Sequence, residues 1–129
     1  AFWPGTFRRM AYDPRFGLRI AEVLLAQGIE AETVKMFGGI TFMVNGNMGV
    51  GITSKGDLLV KFSPERHEEA VEWRGAKPFP MGRGDNKGIL LVNPDAVESN
   101  KALEKWIELS LEHVLTLPPK VKKPRKRTT

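Results

Sequence analysis

The sequence predicts a two-layer α+β domain in which helices cover one face of an antiparallel sheet, in the order helix, three to four strands, helix, two strands, helix. Three observations predict it. Near the start, Phe16, Ile20, Val23 and Leu24 recur at helical spacing. Near the end, Leu103, Trp106, Ile107, Leu111 and Val114 form a second apolar stripe. Between them the apolar period falls to two, interrupted by Asn45-Gly46, the strongest short signal for a hairpin. A chain of 129 residues holds one such domain, and 41% hydrophobic against 27% charged residues is enough to bury its core.

Each element has a local reason. Asp13 caps the first helix and Pro14 occupies its first turn, where a missing N–H costs nothing. Gln27 ends the stripe and Gly28 supplies the stop. From Thr33, Val34 and Met36, then Ile40, Phe42 and Val44, then Met48, Val50 and Ile52 alternate as strands. Ser54, Lys55, Gly56 and Asp57 turn the chain into a strand over residues 58–62. Ser63-Pro64-Glu65 repeats the cap-then-proline pattern and opens a short helix that Gly75 ends. Phe79 and Met81 are expected in a short, proline-flanked edge strand. Gly82 to Asn86 reads as a turn, residues 87–92 as the most buried strand, and Pro118-Pro119 as the stop of the last helix.

The formal charge of +5 belongs to the ends. Lys120, Lys122, Lys123, Arg125, Lys126 and Arg127 supply six cations, and Arg8 and Arg9 two more. Without these eight, 12 cations face 15 anions, so the body carries −3. Residues 1–9 read as an extension ahead of a natural start at Met10, residues 10–119 as the folded domain, and residues 120–129 as a disordered basic tail. Flexible Lys and Arg can follow phosphates, so the tail is expected to give weak, sequence-independent contact with nucleic acid. The absence of cysteine excludes disulfides and thiolate chemistry and fits a reducing, cytoplasmic compartment. The longest apolar runs are four residues, far short of the roughly 20 that a membrane span needs.

Chemistry is harder to find. His67 and His113 stand alone, without the second ligand a metal needs. Glu65, Glu68, Glu69 and Glu72 read as a solvated helix face, and Ser54, Ser63, Ser99 and Ser110 lack the setting of a nucleophile. The glycines of residues 46–51 lead into a strand, whereas phosphate loops feed a helix N-terminus. No catalytic residue, cofactor or metal is therefore expected. Met36-Phe37-Gly38-Gly39 stays open. It reads either as a bulge that bends the sheet, with Met36 and Phe37 filling core, or as the rim of a pocket or protein contact.

These same residues carry a resemblance. Met36, Phe37, Gly38, Gly39, Phe42, Asn45, Gly46, Asn47 and Met48, within residues 35–48, closely resemble the signature of the TfoX N-terminal domain family. Gly82, Arg83 and Lys87-Gly88 continue the likeness, which spans about residues 10–120. The chain departs from it at Gly49, where relatives often carry cysteine, at Ile89, where they often carry an aromatic, and in one extra residue between Arg83 and Lys87. The resemblance implies a fold similar to that of secretion chaperones. It also implies kinship with bacterial regulators of natural competence, which carry a second, C-terminal domain; some relatives are labelled RNA methyltransferases.

Two functions follow as expectations. One is a non-enzymatic regulatory module that binds a protein and is able to form a homodimer. The other is a small-molecule binder or enzyme with a pocket near the Gly38-Gly39 bend, the methyltransferase label included.

Overall fold

The computed structural model describes residues 13–36, 38–79 and 87–119. Helix α1 (Pro14–Ala26) begins as expected: the Asp13 carboxylate accepts the Arg15 amide at 3.0 Å, and Pro14 fills the first turn. It ends in a left-handed turn at Gly28, φ 74°. There the Gly28 amide bonds the Leu25 carbonyl and the Ile29 amide bonds the Leu24 carbonyl, both at 2.9 Å, which satisfies the free end of the helix.

Six strands follow: β1 (Glu32–Met36), β2 (Gly39–Val44), β3 (Asn47–Ile52), β4 (Leu58–Lys61), β5 (Ala76–Pro78) and β6 (Ile89–Val92). They form one sheet in the order β1-β2-β3-β4-β6-β5, with every neighbouring pair antiparallel. The register sets Ile40, Ile52, Leu58, Val92 and Ala76 in one row and Phe42, Val50, Val60, Leu90 and Pro78 in another. These rows meet Phe16, Ile20, Val23 and Leu24 of α1 and Leu103, Trp106, Ile107 and Val114 of the last helix, α3 (Asn100–Val114), in one core. This is the expected α+β architecture.

On the opposite face, Val34, Thr41, Gly51, Leu59, Leu91 and Lys77 form a row across all six strands. Thr41 and Leu59 are each 1% exposed, and Lys77 Nζ reaches the Asp57 carboxylate at 2.8 Å. Burial in β3 therefore does not alternate as the period-two reading implied. Gly49 and Gly51 are as buried as Val50 and Ile52.

Three further expectations change. The Gly38-Gly39 step is not a bulge within one strand. Met36 pairs with Gly39, so β1 and β2 form a hairpin that turns through Gly38 at φ 74°. The irregularity in register lies between Phe42 and Met43 instead. A Cβ at Gly39 would collide with the Ile52 carbonyl oxygen, and one at Gly51 would stand 2.6 Å from the Ile40 carbonyl oxygen.

The second helix is shorter than its pattern implied. It is a 3-10 turn (Pro64–Arg66) followed by α2 (His67–Ala70), of which only Ala70 is buried. Ser63 precedes it without a capping side-chain bond. The edge strand β5 lies ahead of Phe79, at Ala76–Pro78, because Asn93 donates its amide to the Gly75 carbonyl at 2.9 Å and sets that register. Met81 lies outside the described residues. A further 3-10 turn (Pro94–Val97) leads to α3, capped by Ser99, which accepts the Ala102 amide at 3.1 Å.

Candidate functional site

Helix α1 is apolar on more than its buried side. Leu18 is 64% exposed and Leu25 69% exposed. Seven residues apart, they share a face about 10.5 Å apart along the axis, with exposed Glu22 between them. Beside the C-terminal half of the helix runs a groove of about 440 Å³, lined by Ala21, Leu24, Leu25, Ile29, Glu30, Ala31, Thr33 and Phe42.

Local structure builds this groove. The turn at Gly28 reverses the chain and brings Ile29 and Ala31 back alongside the helix. The pairing of Thr33 with Phe42 puts both on the helix-facing side of the sheet. Among the described residues β1 pairs only with β2, so the groove lies near a sheet edge. Glu30 stands exposed along it, Glu22 stands exposed on the outer face of α1, and Lys35 sits further along β1, opposite Ile40.

Several polar groups elsewhere are committed to structure. A second cleft, of about 510 Å³, is lined by Asp13, Arg15, Phe16, Arg19, Gly56, Pro94, Asp95 and Glu98. Its central cation is occupied: Arg19 Nη2 donates to the Val97 carbonyl at 2.9 Å, the Glu98 carbonyl at 3.0 Å and Asn100 Oδ1 at 3.2 Å. Arg15 pairs with Asp13, and its backbone amide, then its guanidinium, hold that carboxyl below the usual range. Arg66 bridges Glu69 of α2 and Glu112 of α3, and its hydrogen bond lowers the Glu69 carboxyl.

His67 Nδ1 accepts the Gly88 amide at 3.0 Å, and its ring stacks on Phe62. Burial and, less strongly, Lys61 lower the His113 imidazole. Among the described residues no group of three or more His, Asp or Glu could hold a metal ion. None of their helices is long and apolar enough to cross a membrane.

The predicted motif residues fall into hairpin roles. Gly38 and Gly39 shape the β1–β2 turn, where an added Cβ would meet Ser54 at 2.8 Å from Gly38 or the Ile52 carbonyl from Gly39, so backbone and side chain already fill that space. Phe42 reaches the floor of the groove. Asn45, at φ 54°, and Gly46, at φ 80°, form the next turn. Buried Asn47 ties it to the C-terminal end of the domain by donating to the Asn45 and Pro118 carbonyls at 3.3 and 3.1 Å. Met48 pairs with Met43.

The side chain of Met36, and Phe37, Gly82, Arg83, Lys120, Lys122, Lys123, Arg125, Lys126 and Arg127, lie outside the described residues, as does the 1–9 extension. Sequence reasoning missed Leu18, Leu25 and Ile29. The available signal was two leucines off the main stripe of a helix whose other side was already apolar.

The model of the TfoX N-terminal domain matches residues 24–114, from the last turn of α1 to the end of α3. No curated protein and no solved structure matches the chain.

Proposed function

The chain belongs to the TfoX N-terminal domain family, and from that premise we propose that it is a non-enzymatic, competence-regulator-like module that binds another protein through the outer face of α1. One observation carries this reading: Leu18 and Leu25 stand 64% and 69% exposed on one face of α1, and Leu25 also walls a largely apolar groove. Apolar surface held in water forgoes roughly 25 cal/mol per Å², and a contiguous patch of it marks an interaction site.

The polar groups argue the same way. Arg19 straps α1 to the start of α3, His67 holds a backbone amide, and Ser99 caps a helix, so each is engaged in holding the fold. In this reading the module works in a bacterial cytoplasm, and residues 120–127 add weak contact with nucleic acid.

The test places a photo-crosslinking residue at position 25, and a control at exposed Glu72, in the native cell. A defined protein adduct at position 25, lost when Leu18 is changed to Ser, is the expected result. Equal labelling at both positions would overturn the reading.

A further inference from the structure

The α1 face carries acid within its apolar stripe. Glu22 lies exposed between Leu18 and Leu25, and Glu30 lies exposed on the wall of the groove. The nearby arginines do not offset them: Arg15 pairs with Asp13, and Arg19 points away to Val97, Glu98 and Asn100. We propose that this face receives a basic amphipathic helix of another protein, its apolar residues against Leu18, Leu25 and the groove, its Lys and Arg side chains against Glu22 and Glu30. The proposal rests on the reading of α1 as a docking face and adds the chemistry of the partner.

Geometry and charge both select that occupant. Leu18 and Leu25 are one heptad apart, so a partner helix meets them with apolar residues at the same spacing. Leu24 and Phe42 line the groove, whose volume of about 440 Å³ can take in apolar side chains of the partner. A second copy of this chain fits poorly. A two-fold axis through the stripe would set Leu18 of each copy against Leu25 of the other, and would bring both Glu22 carboxylates together at the axis. Like charges apposed in a closing interface oppose association, whereas a basic partner turns the same carboxylate into an attractive contact.

The experiment uses fluorescence anisotropy of the full chain with labelled synthetic helices of about 18 residues, long enough to span α1. One carries leucines on one face and lysines on the other, its twin carries glutamates for lysines, and a third scrambles the lysine peptide. The lysine peptide is expected to bind at least about tenfold more tightly than its twin, to weaken as salt rises, and to lose binding to Leu25→Ser. Glu22→Lys with Glu30→Lys should reverse the preference between the twins. All three positions are surface residues, and circular dichroism confirms that each variant is folded.

No binding of the lysine peptide, equal binding of the twins, or equal binding of the scramble would overturn the proposal. So would a dimer in sedimentation that Leu25→Ser dissolves, since that assigns the face to a second copy. If a protein still crosslinks at position 25 while the twins bind alike, docking stands and only the basic partner falls.

Discussion

The Nδ1 of His67 accepts the amide of Gly88 at 3.0 Å, while the Gly88 carbonyl accepts the amide of Phe62 at 2.8 Å, the ring on which His67 stacks. A side chain of α2 thus secures the start of β6 to the end of β4. Replacing His67 with Leu leaves the buried Gly88 amide without an acceptor, at about 1–3 kcal/mol. His67→Asn keeps an acceptor near the same place and should cost less than half as much. Urea midpoints of the two variants check this; equal losses would mean that packing on Phe62, rather than the hydrogen bond, sets the effect.

Three glycine substitutions separate backbone conformation from crowding. Gly28 has φ 74° with nothing within 4 Å of an added Cβ, so Gly28→Ala should cost about 1 kcal/mol. Gly38 combines φ 74° with Ser54 at 2.8 Å, and Gly38→Ala should cost about 2–3 kcal/mol. Gly39 is blocked by the Ile52 carbonyl, a rigid obstacle, and Gly39→Ala should cost more than about 3 kcal/mol. Denaturant midpoints give the order; a Gly28 loss as large as that at Gly39 would sink the distinction.

His113 makes stability depend on pH. Burial lowers its imidazole in the folded protein, so between the unfolded and folded values the unfolded chain binds more protons. Stability therefore falls as pH drops below about 6.5, the ordinary value of the ring. His113→Gln removes this contribution, and the difference between the two proteins should widen from pH 7 to pH 5. Parallel pH profiles of thermal midpoint would refute it.

Six cations among residues 120–127 can neutralise at most about six phosphates, so log affinity for duplex DNA should fall against log salt with a slope no steeper than about −5. Truncation after Pro119 should abolish that binding and leave the thermal midpoint nearly unchanged. Binding that survives truncation with the same slope would place the contact on the folded domain.

How much of this could be read in advance depended on whether the reason was local. The Asp13 cap, the Asn45-Gly46 turn and the stripe from Leu103 to Val114 are dictated by neighbouring residues, and each appears where the sequence put it. The Gly38-Gly39 step was misread because a bulge and a tight turn ask for the same residues, and only the pairing of Met36 with Gly39 tells them apart. β5 moved for the same reason, since the Gly75–Asn93 bond that sets it joins residues far apart in the chain. The exposed apolar face of α1 was hidden in another way. Leu18 and Leu25 are ordinary helix formers, and only the folded arrangement shows that they stand exposed among the described residues.

Gly39 and Gly51 face each other's strands across the β2–β3 pair, one against the Ile52 carbonyl and the other against the Ile40 carbonyl. A one-position slip that brings Ile40 to the place of Gly39, or Val50 or Ile52 to that of Gly51, would drive a branched side chain into a space that admits only hydrogen. The two glycines thus key the strands to one register through backbone contact alone, whatever packs on the faces of the sheet.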